Sequence, residues 1–177
     1  MPREWQHDVA RFHYGWVITI AAFVVSTVAY GVFYSFGIFF PHIVADYGWS
    51  YAEASGAFSV AIVTYGFFAI PMGWASDRYG PRLAVGAGGL IFGLGIFLGS
   101  QVHEVWHLYF VYGLVAALGM GAAYVPLVST VSRWFVARRG LALGIAGLGS
   151  GAGTFLFTPL VGQLIGNSGW RQAYVIA

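Results

Sequence analysis

The chain has 177 residues, of which 59% are hydrophobic and only 8% charged, and its formal net charge is +2. Soluble domains carry about 25% charged residues, so this composition excludes a water-covered surface and predicts an all-α, polytopic membrane protein. The chain contains no Cys, which excludes disulfides and thiolate metal sites. All eight cations are Arg, scattered in ones and twos, so nothing predicts a nucleic-acid partner or a bound cofactor.

Six apolar runs follow a polar N-terminal tail at residues 1–13. The first run is about 25 residues long, whereas the core of a signal peptide has about 7–15, so we interpret it as a span that Pro41 ends. Ser50 and Glu53 form an S-x-x-E capping box, which predicts the start of the second span. The last run is too short for a bilayer that needs about 20 residues, so we expect a truncated sixth helix. Within a transmembrane domain at 14–177, the predicted spans are 14–40, 51–73, 83–102, 107–132, 140–165 and 172–177, the last incomplete.

The distribution of Arg predicts the orientation of these spans. Seven Arg lie in the N-terminal tail or in links on the same side of the membrane as the tail, whereas only Arg171 lies in a link on the opposite side. Cytoplasmic links hold the excess of Lys and Arg, so we expect a multi-pass protein of the cell membrane (plasma or inner) with its N-terminus in the cytoplasm. The seven Trp residues fall at or beyond span ends, as interfacial Trp does. The cations on the N-terminal side are Arg3, Arg11, Arg78, Arg82, Arg133, Arg138 and Arg139.

Small residues inside the spans predict close helix packing. Four pairs of glycines have small-xxx-small spacing, which lets helix backbones approach one another. Pro126 and Pro159 fall within predicted helices, where a proline bends the helix and frees a carbonyl. The glycine pairs are Gly89 and Gly93, Gly95 and Gly99, Gly147 and Gly151, and Gly149 and Gly153.

No Asp, Glu, Lys or Arg lies deep in a predicted span, so the polar groups there are hydroxyls. Thr27, Tyr30 and Tyr34 share one helix face by their spacing, and Tyr65 and Tyr124 lie in the middle of other spans. A buried Tyr needs a partner for its hydroxyl, so one interpretation is that these groups bond to neighbouring helices. The alternative is a ring of hydroxyl donors that lines a central cavity and binds an anionic substrate.

The segment from Gly73 to Arg82 is the place where both charge signs crowd between two apolar runs. Its glycines allow a sharp reversal, and Pro81 suits the first turn of a new helix because its missing N–H costs nothing there. Asp77 can meet the positive end of a helix or pair with Arg78 or Arg82. Taken alone, the segment can equally be a solvated turn that only orients the protein.

One motif favours a different class of protein. His103-Glu104-Val105-Trp106-His107 is an H-E-x-x-H sequence, and two His on one helix face can hold zinc beside a Glu general base. A third ligand would come from His42, Asp46 or Glu53 on the same outer side, or from the missing part of the protein. A membrane metalloprotease is therefore an alternative, although a chance sequence in a short polar link is the stronger interpretation.

Two sets of residues resemble the major facilitator superfamily. Gly73, Ser76, Asp77, Arg78, Gly80 and Arg82 match its loop between helices 2 and 3, with Pro81 where that loop usually has Arg. Its oxalate/formate antiporter and monocarboxylate porter branch resembles this chain at Tyr14-Gly15-Trp16-Val17, and at Arg133-Trp134-Phe135 followed by the run from Arg138 to Ala146. Animal monocarboxylate porters carry a Lys roughly where Tyr34 stands here.

The resemblance covers the whole chain as an N-terminal half, and it implies a secondary transporter that moves a small organic anion by alternating access. Asp77, Arg78 and Arg82, with Gly73 and Gly80, would then form a latch that binds the missing C-terminal half. Such a protein is not an enzyme, and its partners are the substrate, the lipid bilayer and that second half. A solute sensor on the same fold is a further alternative. The candidate wall of the substrate cavity consists of Thr27, Tyr30, Tyr34, Tyr65 and Tyr124.

Overall fold

The computed structural model describes residues 4–135 and 138–176, in which every regular element is a helix. Arg3 lies outside these residues, and the side chains of Trp5 and Arg11 are not described. Five helical stretches of the described chain are long and apolar enough to cross a membrane. The elements are α1 (Glu4–Tyr34), α2 (Phe36–Tyr47), α3 (Tyr51–Tyr79), α4 (Pro81–Gly99), α5 (Val105–Leu108), a π-helical segment (Tyr109–Ala116), α6 (Ala117–Trp134), α7 (Arg139–Ser168) and α8 (Trp170–Ile176).

Local sequence sets several helix starts as predicted. The Glu53 amide donates to the Ser50 hydroxyl at 3.1 Å, and the Ser50 amide donates to the Glu53 carboxylate at 2.9 Å, which confirms the capping box. A single residue, Gly80, links α3 to α4 with a φ of 92°, a backbone conformation that favours glycine. Pro81 opens α4, where its missing N–H removes no intrahelical bond.

The prediction that Pro41 ends the first span is wrong. Pro41 lies inside α2, which continues to Tyr47, and the helix is interrupted earlier, at Ser35. There the Ile38 amide donates to the Ser35 carbonyl, three residues back, at 2.9 Å. A proline displaces the backbone of the preceding turn, but in a membrane the remaining backbone groups still need internal partners, so the helix resumes instead of stopping.

Other predicted span ends also differ from the structure. The helix α3 runs to Tyr79 instead of Gly73, and α7 runs from Arg139 to Ser168, whereas α4 ends at Gly99, before the predicted Val102. A helix keeps its own backbone hydrogen bonds through the interfacial region, so hydropathy alone underestimates the lengths of α3 and α7. Pro126 and Pro159 lie inside α6 and α7 as predicted. The π-helical segment was not predicted.

Two of the four glycine pairs support close packing. A Cβ added at Gly149 would lie 2.5 Å from the Phe23 carbonyl oxygen of α1, and one at Gly153 would meet the Thr27 carbonyl even more closely. The pair Gly95 and Gly99 meets the π-helical segment and α8 in the same way. A Cβ at Gly89, Gly93, Gly147 or Gly151 would meet nothing within 4 Å, so spacing alone did not identify the packed faces.

Side-chain contacts identify the two ends of the bundle. At one end the Arg82 guanidinium donates to the Tyr14 hydroxyl at 3.4 Å, and the Tyr14 ring lies 5.2 Å from that of Trp134. At the other end the Trp170 indole donates to the Asp46 carboxylate at 2.5 Å. The α3–α4 link therefore lies beside the end of α6, as the predicted order of spans requires.

Candidate functional site

Four of the five predicted wall residues come together. The hydroxyls of Tyr30 in α1 and Tyr65 in α3 are 3.1 Å apart. The Tyr30 ring stacks on Tyr34 at 5.8 Å and meets Tyr124 of α6 edge-on at 5.2 Å. Three helices thus contribute to one group of side chains, which we call the tyrosine cluster: Tyr30, Tyr34, Tyr65 and Tyr124.

The tyrosine cluster can donate several hydrogen bonds. Each Tyr hydroxyl carries one proton and also accepts. One of the four protons is used between Tyr30 and Tyr65, so three remain. The hydroxyls of Tyr34 and Tyr124 have no hydrogen-bond partner among the described residues, and the Tyr34 side chain is 42% exposed. Uncharged donors of this kind suit a carboxylate, which accepts several hydrogen bonds.

Thr27 does not join the tyrosine cluster. Its hydroxyl donates to the Phe23 carbonyl, one turn back in α1, at 2.8 Å. Its backbone faces α7, where Gly153 approaches the Thr27 carbonyl. Within the described residues, no hydrogen bond or ring contact connects Thr27 with the four tyrosines. The i, i+3, i+7 spacing of Thr27, Tyr30 and Tyr34 correctly placed the two tyrosines on one face, but the Thr27 hydroxyl bonds its own helix and is unavailable as a donor.

The aromatic side chains around Tyr34 were not predicted from the sequence. Phe58 of α3 lies 6.4 Å from the Tyr34 ring and stacks on Phe36 at 6.0 Å. Phe33 meets Tyr34 at 5.6 Å and stacks on the buried Tyr112 at 5.4 Å. The chain is 19% aromatic, so no local signal separates these rings from the others.

The predicted latch pairs with a different Arg from those expected. The Asp77 carboxylate accepts from the Arg133 guanidinium, which the end of α6 supplies, and not from Arg78 or Arg82. Both partners are exposed, with side-chain exposures of 61% for Asp77 and 62% for Arg133. The common side of the two polar links could have indicated Arg133, because positive-inside counting assigns both links to one face.

The remaining residues of the predicted latch make separate contacts. Arg78 lies over the Trp74 ring at 5.4 Å, while Arg82 contacts Tyr14. Gly73 lies within α3 and not in a turn, and a Cβ there would lie 3.3 Å from Val125. Only Gly80 makes the reversal. The predicted latch segment is therefore the helical end of α3 followed by a one-residue link.

At the opposite end, Arg171 connects three elements. Its guanidinium donates to the Ser100 carbonyl at 3.2 Å and to the Tyr47 hydroxyl, and it approaches His103 Nδ1 at 3.5 Å. Tyr47 in turn donates to the Val102 carbonyl at 2.5 Å. A cation at these carbonyls also opposes the negative C-terminal end of α4. The sequence identified Arg171 only as the one cation on its side.

The H-E-x-x-H residues do not form the predicted zinc face. His103 and Glu104 precede α5, which begins at Val105, so the two His are not one turn apart on a helix. The Trp106 indole donates to Glu104 at 2.5 Å, which occupies the carboxylate. Within the described residues, no group of three potential ligands is close enough to hold a metal ion. This geometry argues against the metalloprotease alternative.

A cavity of about 440 Å³ lies between α1, α4 and α8, away from the tyrosine cluster. Its lining is apolar apart from Tyr174, whose buried hydroxyl has no partner among the described residues. An anion needs several donors or a cation, so this cavity is a poor candidate for its site.

The sequence profile of the Major Facilitator Superfamily matches residues 22–177. The chain is 37% identical over 164 residues to monocarboxylate transporter 13 of Bos taurus, covering 92% of this chain and 38% of that protein. It is 34% identical over 164 residues to human monocarboxylate transporter 11, with 92% and 35% covered.

Human monocarboxylate transporter 7 is 30% identical over 160 residues, which cover 90% of this chain and 31% of that protein. The chain thus spans about a third of the length of these relatives, all of which carry the names of transporters and not of enzymes. The helical bundle, its spans and the profile match agree with the resemblance seen in the sequence. The chain belongs to the major facilitator superfamily, and the relatives it resembles are named monocarboxylate transporters.

Proposed function

We propose that this chain is part of a secondary active transporter that moves a small organic anion, a monocarboxylate or a dicarboxylate, by alternating access. The tyrosine cluster is the observation that carries the proposal. It gathers three free hydroxyl protons from three helices, and none of its described contacts is with a charged side chain. The names of the relatives support a monocarboxylate as the first substrate to test.

In this proposal Tyr30 and Tyr65 act together. Their mutual hydrogen bond joins α1 to α3 and leaves one hydroxyl proton free for the carboxylate. Tyr34 and Tyr124 donate from either side of Tyr30, while the rings around Tyr34 contact the apolar part of the substrate. A cation elsewhere in the complete protein balances the negative charge, because the described spans hold none near the cluster.

The Asp77–Arg133 pair forms the conformational latch with Arg78 and Arg82. Both members of the pair are exposed, so charged groups of a partner surface can reach them and replace one member of the pair. Exposed pairs contribute only about 0–1 kcal/mol to stability, so replacing one partner costs little free energy. Breaking and reforming these contacts would bias the equilibrium between inward-facing and outward-facing states.

We place the latch in the cytoplasm, and with it the N-terminal end of the bundle, in a plasma or inner membrane. The structure groups Tyr14, Arg82 and Trp134 at that end, in keeping with the Arg-rich links. The second partner is a complementary helical half. It would cover the exposed apolar faces of α3 and α7, which include Phe67, Ile70, Leu148 and Phe155.

Uptake tests the proposal directly. The full-length gene product that contains this chain is reconstituted in proteoliposomes, and entry of labelled lactate, formate and oxalate is measured with and without EDTA. Saturable uptake that ignores EDTA supports the transporter. Substrate binding without uptake would indicate a solute sensor, and EDTA-sensitive peptide cleavage would restore the protease alternative.

Substitutions in the tyrosine cluster test whether its hydroxyls bind the transported substrate. Tyr65→Phe removes a donor and keeps the ring, and a hydrogen bond to a charged group is worth about 1.5–3 kcal/mol, so KM should rise roughly tenfold or more. Tyr174→Phe is the matched control, because its buried hydroxyl has no partner among the described residues. Equal KM values for both variants would contradict the assignment of the cluster as the substrate wall.

A further inference from the structure

Tyr112 of the π-helical segment makes a buried contact with the interruption in the first span. Its hydroxyl donates to the Phe33 carbonyl of α1 at 2.7 Å, and its side chain is 2% exposed. Its ring also stacks on Phe36 at 4.2 Å and on Phe33 at 5.4 Å, so it contacts both sides of the interruption at Ser35. Segments of π-helix, such as the one that carries Tyr112, often occur near functional sites.

The Phe33 carbonyl belongs to the same peptide unit as the Tyr34 amide. The six atoms of that unit are planar, so a hydrogen bond that fixes the carbonyl oxygen also fixes the direction in which the Tyr34 Cα leaves it. Phe33 is the second-last residue of α1, where carbonyls lose their intrahelical partners. The hydroxyl of Tyr112 therefore satisfies a helix-end carbonyl and orients the residue that follows.

A second buried bond holds the other side of Tyr34. The Ser35 hydroxyl donates to the Gly31 carbonyl at 2.6 Å. Side-chain bonds of this type, to the carbonyl four residues back, compete with the backbone and bend helices. Tyr34 is thus bracketed by two tethered residues although its own ring is half exposed.

We propose that Tyr112 is a positioning residue, which holds the Phe33–Tyr34 peptide so that the Tyr34 hydroxyl is presented to the substrate. The role in transport rests on the proposed function. The role in positioning concerns the backbone at residue 34 and is measurable without transport.

Cysteine labelling tests the backbone role. The 177 residues contain no Cys, so Tyr34→Cys places a single thiol at the position in question. Its reaction rate with a water-soluble maleimide is measured in the full-length gene product, by mass spectrometry of the peptide, with and without Tyr112→Phe. The net strength of an ordinary hydrogen bond corresponds to roughly a 2- to 12-fold change in populations, so the rate should change about threefold or more. An unchanged rate overturns the positioning role.

Two controls separate positioning from general loosening. Gly151→Cys reports on an exposed site of α7, and its labelling rate should not respond to Tyr112→Phe. Tyr109→Phe removes another hydroxyl bond of the same segment, from Tyr109 to the Glu53 carbonyl at 2.8 Å, and should leave position 34 unchanged. Equal changes at positions 34 and 151 would mean that Tyr112 only supports the fold, which overturns the proposal.

Uptake kinetics then test the link to substrate. Tyr34→Phe should raise KM roughly tenfold or more, Tyr112→Phe about three- to tenfold, both with little change in kcat, and the double variant should match Tyr34→Phe alone. Additive effects would show that the two hydroxyls act independently and would overturn the proposal. If the unaltered protein transports no carboxylate, the proposed function fails, and the labelling result still decides whether Tyr112 positions residue 34.

Discussion

Gly149 is a position where a single added methyl group should separate two helices of the bundle. A Cβ at Gly149 would lie 2.5 Å from the Phe23 carbonyl oxygen and 2.9 Å from the Ser26 Cβ, both in α1. Ordinary contact begins at 3.4 Å, so α7 would have to withdraw by about 0.9 Å. A gap of that size forfeits a quarter to a half of each dispersion contact it crosses.

Overpacking of this kind costs about 1–3 kcal/mol. Gly149→Ala also gains up to about 1 kcal/mol from the better helix propensity of Ala, which hides part of the cost. Gly147→Ala gains the same propensity without a clash, because a Cβ at Gly147 would meet nothing within 4 Å. The difference between the two variants therefore isolates the contact, and we expect Gly149→Ala to be less stable by about 2 kcal/mol.

Unfolding in detergent micelles measures this difference. The full-length gene product is titrated with SDS and followed by circular dichroism, and the midpoints of the two variants are compared. Phe23 and Ser26 precede Thr27 and Tyr30 on α1, so Gly149→Ala should also lower uptake. Equal midpoints for Gly149→Ala and Gly147→Ala would refute the close approach of α7 to α1.

Three further substitutions have distinct expected outcomes. Asp77→Asn should slow uptake and leave the thermal midpoint unchanged, since its exposed pair with Arg133 adds at most about 1 kcal/mol; an unaltered rate would contradict the latch. Arg171→Met should destabilise the protein by about 2 kcal/mol in thermal unfolding, and Arg171→Lys should recover only part of that, because it lacks the planar fork that bonds several oxygens. Ser50→Ala should cost about 1 kcal/mol through the lost cap, and a cost as large for the neighbouring exposed Ser55→Ala would argue against the capping box.

Helix number and helix starts follow from local features of the sequence. Long apolar runs must be helical in a membrane, because their backbone groups have no water to bond, and this determined the five spans. The capping box at Ser50 and the reversal at Gly80 depend on residues within one turn of each other, so pattern alone located them. Helix ends were less predictable because helices continue through the interface.

The tertiary structure decided which hydroxyls meet and which charges pair. Spacing placed Thr27, Tyr30 and Tyr34 on one face of α1, but only the packing of α3 and α6 brought Tyr65 to Tyr30 while Thr27 bonded its own helix. The partner of Asp77 is 56 residues away in sequence, beyond the reach of any local pattern. Likewise, the interruption at Ser35 and its contact with Tyr112 depend on two helices that meet across 79 residues, a separation at which sequence carries no geometric signal.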